Sequence, residues 1–422
     1  MSANLAEPLS LPSAYMDEAL AAQLFDSGLK SMTLGGRELL PIVQGGMGVG
    51  VSAHRLAGTV AAMGGVGTLS AVDARRHHPD LMARTEGLSS RIGQDEDTRR
   101  QVDAANREAV AREIRAAREA SQGHGLIAMN VMRAVSDYAG YVTASLEAGV
   151  DAVVVGAGLP LDLPDLAQDH PNALLIPILS DARGVQLIVK KWERKKRLPD
   201  AIVIEHPRLA GGHLGAAKIA DLNDPRFDFE RVIPESLAFL RSAGIEKDIP
   251  LIAAGGIRSH ADIQRVQALG AAGVQLGTPF AVTEEGDAHP EFKRVLAEAR
   301  EEDLTTFTSV AGLPARAVMT PWLKAYLRVE DRLQAVTQVR KRCTKAFDCL
   351  AQCGLRDGLA GWGQFCIDNQ LAAALRGDVS KGLFFRGAGA LPFGDQIRSV
   401  GELMSRLLTR DMALGSPVPQ GA

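Results

Sequence analysis

Two neighbouring stretches of the chain, IPLIAAGGIRSH (residues 249–260) and GVQLGTPF (residues 273–280), each join a short apolar run to glycine. The sequence between them has helical periodicity. A continuous apolar run is typical of a strand that is buried on both faces of a parallel sheet. Two such runs joined by a helix form the strand–helix–strand unit from which parallel α/β folds are built.

The same unit recurs along the chain. Eight apolar runs have strand character: Leu39–Gln44, Val66–Ala71, Leu126–Val131, Ala152–Gly156, Leu174–Leu179, Ala201–Glu205, Pro250–Ala254 and Gly273–Gly277. Helical patterns lie between most of them: His54–Met63, Tyr138–Ala148, Val185–Lys196, Pro234–Ser242 and Ser259–Leu269. Eight alternations predict an α/β protein with a closed (β/α)8 barrel, the TIM barrel, in preference to an open sheet.

The spacing of these units divides the sequence into three parts. We predict an N-terminal segment over 1–36, the barrel over 37–325 and a mostly helical C-terminal extension over 326–422. A long polar stretch after the second strand, about 73–125, is interpreted as an insertion whose later part forms a charged amphipathic helix outside the barrel. The beginning of the extension, residues 321–346, also has a helical pattern.

Composition and charge limit the classes of protein. Apolar residues make up 46% of the 422 residues and charged residues 23%, which allows a large core and excludes wholesale disorder. A net charge of −3 argues against nucleic acid or an anionic membrane as the main partner. The sequence has neither a signal-peptide pattern nor an apolar run suited to crossing a membrane, so we expect a cytoplasmic protein.

Glycines follow the last two predicted strands, at the barrel end where chemistry takes place. Gly255, Gly256, Gly277 and Thr278 could turn backbone N–H groups toward one phosphate. A single Gly–Gly pair also marks an ordinary tight turn. Two adjacent glycine loops favour a cofactor that carries a phosphate.

Further chemistry is predicted after the first and sixth strands. The segment QGGMGVG (44–50) would let a flat ring lie against bare backbone, with Met47 as a soft apolar contact. His213 follows two glycines after the sixth strand and is the candidate acid, base or hydrogen-bond donor. His206 is interpreted as structural, and His289 as a loop or helix-cap residue.

The motifs in combination resemble the nitronate monooxygenase (2-nitropropane dioxygenase) family and the related flavin-dependent enoyl-acyl-carrier-protein reductases. The resemblance covers residues 37–325 and rests on QGGMGVG, AMN, EHPRLAGGHLG, IPLIAAGGI and GVQLGTPF, followed by EEGDAHPEFKRVLAEAREED and SVAGLPARAVMTPW. It implies a TIM barrel, non-covalent FMN and a catalytic histidine, here His213. It also implies FMN contacts at Gly45, Gly46, Met47, Asn130, Gly212, Gly255, Gly256, Gly277 and Thr278.

The chain departs from the family pattern at the end of the fifth strand. Many members carry a lysine there, near the flavin, whereas this strand ends in PILSDAR (177–183), so Ser180 takes the lysine's place. Loss of that cation would leave a reduced, anionic flavin less stabilised unless Arg183 or another group compensates.

The chain has four cysteines, all in the predicted extension: Cys343, Cys349, Cys353 and Cys366. In a cytosolic protein such a group favours metal ligation over disulfides. The spacing C-x5-C-x3-C-x12-C matches neither a zinc ribbon nor a ferredoxin run. Four thiols suit the ligand count of a [4Fe–4S] cluster; zinc and reduced structural thiols are the alternatives.

The leading prediction is an FMN-dependent oxidoreductase that oxidises alkyl nitronates with oxygen to a carbonyl compound and nitrite. One alternative is an FMN and iron–sulfur reductase of activated C=C bonds that takes electrons from NAD(P)H or a protein electron donor. Another is a non-catalytic flavin and iron–sulfur redox sensor. We expect a small-molecule substrate, and a homodimer is an open alternative to a monomer.

Overall fold

In the computed structural model, which describes residues 14–86, 96–336, 343 and 348–410, the central element is a closed barrel of eight parallel strands. In chain order they are β1 (Ile42–Gln44), β2 (Val66–Ser70), β3 (Leu126–Met132), β4 (Ala152–Gly156), β5 (Leu174–Leu179), β6 (Ile202–Glu205), β7 (Leu251–Ala254) and β8 (Gly273–Leu276). The pairing of β8 with β1 closes the ring through Val274 and Ile42. The predicted α/β TIM barrel is confirmed, and each strand lies within a predicted run or extends it by one residue.

Helices surround the barrel and cover its upper end. The α-helices of the described residues are Glu18–Ser27, His54–Ala62, Pro79–Glu86, Glu96–Ser121, Tyr138–Glu147, Leu163–Leu166, Ala182–Glu193, Phe229–Ser242, His260–Ala268, Thr278–Ala281, Pro290–Glu298, Pro321–Leu327, Glu330–Ala335, Gly354–Asp357, Ile367–Leu375 and Val400–Leu408. Short 3-10 helices occupy Ala74–His77, Ile219–Asn223, Pro225–Phe227 and Glu301–Asp303. Within the described ranges, no helix combines the length and apolar character needed to cross a membrane.

The barrel interior is filled by small and β-branched side chains, and a hairpin closes its lower end. The antiparallel strands Met32–Leu34 and Arg37–Leu39 form this hairpin. Their apolar side chains belong to the same buried cluster as the barrel-interior residues Val43, Val66, Ala128, Val154, Ile176, Val203 and Ile252. The segment that precedes the barrel in the sequence therefore contributes to its core.

The helix Glu96–Ser121 lies within the sequence predicted as an insertion, and it packs directly on the barrel's first helix, His54–Ala62. At the crossing, a Cβ on Gly58 would lie 2.6 Å from the Cβ of Ala120, so glycine permits the close approach. The apolar face of the helix Glu96–Ser121 is buried, and its opposite face carries charged side chains. This helix is therefore part of the connection between β2 and β3, and it forms one of the outer helices of the barrel.

The C-terminal part of the chain returns to the barrel. The helix Val400–Leu408 packs against Glu18–Ser27, His54–Ala62 and His260–Ala268, in the position of an eighth outer helix. The stretch 321–346, which has a helical pattern in the sequence, contains two short helices, Pro321–Leu327 and Glu330–Ala335. Residues 337–342 and 344–346 of that stretch lie outside the described residues.

Candidate active site

A large cavity opens at the carboxyl ends of the strands, where barrel enzymes bind their ligands. Its volume of about 560 Å³ falls within the range of small-molecule and cofactor pockets. Residues that end or follow each of the eight strands line it: Gly45, Ser70, Met132, Gly156, Ser180, Glu205, Gly255 and Gly277.

The structure brings together all eleven residues that the sequence singled out for the flavin site. The cavity is lined by Gly45, Gly46, Met47, Asn130, Ser180, Gly212, His213, Gly255, Gly256, Gly277 and Thr278. Arg183, named as a substitute for the missing lysine, is exposed and is not among the lining residues. The end of β5 therefore presents a hydroxyl to the cavity where many family members are expected to carry a cation.

The glycine turn after β7 forms one end of the cavity. Gly255 and Gly256 have φ values of 102° and 73°, in the region that side-chain-bearing residues rarely adopt. A Cβ on Gly256 would lie 2.7 Å from Leu209 Cδ1. Arg258 follows the turn and also lines the cavity, so a cation lies close to the glycine backbone. This combination suits a phosphate.

The loop after β1 forms a flat wall of bare backbone. A Cβ on Gly46 would collide with the side chain of Asn130, and a Cβ on Gly45 would lie 3.2 Å from Gln275 Cγ. Gln275 lines the cavity, and its buried Oε1 has no hydrogen-bond partner among the described residues. A ligand that carries an N–H or O–H group can satisfy this acceptor. The residues present therefore fit a ligand with a flat polar ring and a phosphate, as FMN has.

His213 is held above the strand ends by a small antiparallel sheet. The two-residue strand Gly212–His213 pairs with Pro314–Val318, where His213 lies opposite Ala315. The buried Arg316 donates from Nη1 to the carbonyl of Ala210, 2.6 Å away, and so fixes the loop that precedes the histidine. The side chain is therefore positioned by strand pairing and by a buried cation.

The imidazole of His213 is neutral at neutral pH because burial lowers its pKa to about 4. Its Nε2 lies 3.0 Å from Ser309 Oγ, which also accepts a hydrogen bond from the N–H of Ala311 at 3.2 Å. Among the described residues, His213 Nε2 is the acceptor within reach of the Ser309 hydroxyl. We therefore assign the imidazole proton to Nδ1, which leaves His213 one N–H to donate to a ligand.

A segment from the C-terminal part of the chain, the strap (residues 383–391), forms the far wall of the cavity. Phe385 places its ring 5.6 Å from the ring of His213, centroid to centroid. The N–H of Gly387 donates to Thr278 Oγ1 at 3.0 Å, and the buried Arg386 donates from Nε to the carbonyl of Leu296. The strap was not predicted as part of the site, although the glycines of GLFFRGAGALPFG (382–394) are a signal of close backbone contacts.

The other histidines named from the sequence have structural roles. His289 is the N-cap of the helix Pro290–Glu298 and accepts from the N–H of Glu291 at 3.1 Å, which confirms the predicted helix cap. His206 is buried, with Nε2 3.3 Å from Asp228 Oδ1 and its ring against the edge of Phe229.

The predicted metal site is not found in the described residues. Cys343, Cys349, Cys353 and Cys366 are not joined in disulfides, and no group of three or more His, Cys, Asp or Glu side chains in the described ranges could hold a metal ion. Burial raises the pKa of Cys349 well above its ordinary value, and the negative charge of Asp368 acts in the same direction. The structure thus gives the iron–sulfur and zinc alternatives no support.

The cysteine segment, residues 349–366, instead packs against the loop that carries Ser309. The N–H of Gly363 donates to the carbonyl of Ser309 at 3.0 Å, and the N–H of Gly354 donates to the carbonyl of Val310 at 2.7 Å. A Cβ on Gly363 would lie 2.8 Å from the Val310 nitrogen, so the two backbones are in direct contact. The segment therefore supports the backbone of Ser309, whose hydroxyl contacts His213.

A closed barrel with glycine turns and a neutral histidine around one cavity has the architecture of a barrel enzyme that binds a phosphate-bearing cofactor. The nitronate monooxygenase family model matches residues 37–410 of the chain. The chain belongs to the nitronate monooxygenase family.

Relatives in this family match over part of their length. A probable nitronate monooxygenase of Bacillus subtilis is 32% identical over 130 residues, which cover 31% of this chain and 35% of that protein. A probable nitronate monooxygenase of Staphylococcus saprophyticus is 26% identical over 191 residues, which cover 44% and 49%. The chain therefore spans about a third to a half of the length of these curated relatives.

Solved structures share the fold over most of the chain. Nitroalkane oxidase from Streptomyces ansochromogenes aligns over 87% of this chain and 94% of its own, with a TM-score of 0.58 and 20% identity. FabK from Thermotoga maritima aligns over 87% and 91%, with a TM-score of 0.57 and 20% identity. At this level of identity, the likeness shows the fold alone.

Proposed function

We propose that the protein binds FMN in the cavity and oxidises alkyl nitronates with oxygen to a carbonyl compound and nitrite. The observation that carries the proposal is the neutral His213, held by Ser309 in a cavity ringed by glycine turns. FMN, when bound, supplies the electron acceptor for this reaction.

The residues on the cavity wall divide by the part of FMN that they suit. Gly255, Gly256, Gly277 and Thr278, together with Arg258, suit the phosphate because they offer backbone N–H groups, a hydroxyl and a cation. A second set suits the ring because it offers bare backbone, one soft side chain and amide groups: Gly45, Gly46, Met47, Asn130 and Gln275. Gly212 and Ser180 also line the cavity.

The protonation state of His213 favours a nitronate over a neutral nitroalkane as the ligand of this residue. Its pKa of about 4 makes the imidazole a poor acceptor for an α-proton at neutral pH. A neutral imidazole with its proton on Nδ1 can still donate a hydrogen bond to an oxygen of the nitro group. His213 then orients the nitronate and offsets its negative charge.

The four cysteines stay outside this proposed reaction. Electron transfer through an iron–sulfur cluster would require metal at Cys343, Cys349, Cys353 and Cys366, and analysis of iron, zinc and acid-labile sulfide in the purified protein tests that hypothesis directly. Bound iron and sulfide in about 4:4 ratio per chain would restore the cluster.

The test of the proposal is the His213→Ala variant. We expect it to keep FMN, since the phosphate and ring walls are intact, and to lose nitrite release from ethyl nitronate by about a hundredfold or more. Unaltered nitrite release would remove the role of His213. If wild-type protein instead consumes NAD(P)H with an enoyl thioester and releases no nitrite from the nitronate, the reductase alternative is correct.

A further inference from the structure

Glu205 is a carboxyl group of the cavity that the proposed reaction leaves without a role. It is the last residue of β6 and lines the cavity beside Ser180, the residue at the end of β5. A Cβ on Gly215 would collide with the Ser180 hydroxyl and lie 3.5 Å from Glu205 Oε2. The absence of a side chain at Gly215 therefore leaves space next to both polar groups.

The carboxyl group of Glu205 has no hydrogen bond or ion pair with any side chain or backbone group of the described residues. Burial alone raises the pKa of Glu205 to about 7, and no charged neighbour contributes to the shift. Near neutral pH, the protonated and ionised forms are both populated. This is the condition under which a carboxyl group exchanges protons most effectively with a ligand.

The other ionisable side chains that line the cavity are Asp181, Arg258 and His213. Asp181 accepts from the N–H of Gly184 at 2.8 Å and lies 3.7 Å from Arg226. Arg258 is on the glycine turn after β7, beside Gly389. His213 is neutral and bonded to Ser309. Glu205 is thus the titratable group of the cavity that is free to act as a base.

We propose, building on the function above, that Glu205 is the general base that takes the α-proton from neutral nitroalkanes and so extends the substrates from nitronates to their neutral acids. In this step the C–H bond breaks, its electron pair forms the C=N bond of the nitronate, and the proton goes to a carboxylate oxygen of Glu205. No electrons leave the substrate in this step. The nitronate then remains in the cavity, hydrogen-bonded to His213.

The test separates proton transfer from oxidation. Nitroethane deuterated at the α-carbon is incubated with the FMN-loaded protein without oxygen, and the replacement of deuterium by solvent hydrogen is followed by NMR. We expect wild-type protein to accelerate the exchange over buffer and Glu205→Gln to lose the acceleration by about a hundredfold or more. Oxidation of ethyl nitronate, from which the α-proton is already absent, should fall by a much smaller factor in Glu205→Gln than the exchange does.

Asp181→Asn is the matched control, because it removes a carboxylate from the same cavity while asparagine remains a good helix N-cap. It should exchange like wild type. Loss of exchange in His213→Ala but not in Glu205→Gln would overturn the proposal, as would a wild-type rate equal to buffer. Since exchange requires neither oxygen nor nitrite release, exchange without any oxidation of ethyl nitronate would support Glu205 while refuting the proposed function.

Discussion

His213 Nε2 and Ser309 Oγ lie 3.0 Å apart although 96 positions separate the two residues in the chain. The strand Pro314–Val318 brings them together, since it pairs with Gly212–His213 on one side and with Leu304–Thr308 on the other. The cysteine segment fixes the intervening turn through two backbone hydrogen bonds. The histidine loop and the C-terminal part of the chain are therefore one structural unit.

Ser309 should act as a positioning residue for His213. In Ser309→Ala, the imidazole loses the hydroxyl that holds its proton on Nδ1, and we expect kcat/KM for ethyl nitronate to fall about fivefold, the equivalent of about 1 kcal/mol. The pH profile should change as well, because the freed Nε2 can take up a proton. Thr306→Ala, on the same hairpin but not on the cavity wall, is the control. A lower melting temperature with unchanged kcat/KM would mean that Ser309 is merely structural.

The glycine turn after β7 should be essential for FMN. Gly256→Val forces a β-branched side chain into a left-handed backbone conformation and toward Leu209, so we expect purified protein with little or no flavin. Gly244→Val is a matched control, because Gly244 has the same φ of 73° and is not on the cavity wall. The absorbance ratio of flavin to protein measures the outcome. If purified Gly256→Val retained one FMN per chain, the phosphate of FMN would have to bind away from this turn.

The free energy of unfolding should depend on pH in a way that Glu205 determines. With a folded pKa of about 7 against an ordinary value of 4.5, the folded chain holds a proton that the unfolded chain has lost between these pH values. This contribution to stability therefore falls as the pH rises through that window. Glu205→Gln removes it, so the stability of the variant relative to wild type should increase with pH, by at most about 1.4 kcal/mol per pH unit.

His213 should have the opposite effect in wild-type protein. Its pKa of about 4 in the folded chain is below the ordinary 6.5, so the unfolded chain binds the extra proton between these values and stability rises with pH. The two effects partly cancel in wild type, and the variant reveals the histidine contribution. Urea unfolding between about pH 5 and pH 8 measures both. A stability difference between Glu205→Gln and wild type that does not vary with pH would show that Glu205 has an ordinary pKa.

The barrel and much of the cavity could be predicted because their signals are local in the sequence. Buried parallel strands require continuous apolar runs, and strand ends in a barrel converge on one site, so glycine loops and His213 could be placed together. The charged helix Glu96–Ser121 was harder to place, since its buried face includes polar residues such as Asn106 and Glu113.

The rest of the site depends on contacts between distant parts of the chain. Strand pairing brings Ser309 to His213, and the strap over 383–391 packs its backbone against glycines. Neither kind of contact produces a periodic pattern in the local sequence. Glu205 is the first residue of the motif EHPRLAGGHLG. Its significance comes from burial without a partner, which only the folded chain reveals.

The most direct test of the central claim is nitrite release by the purified, FMN-containing wild-type protein supplied with ethyl nitronate and oxygen. We predict that nitrite forms together with acetaldehyde, that oxygen is consumed, and that NAD(P)H is not required. Absence of nitrite from a protein that retains FMN would contradict the account.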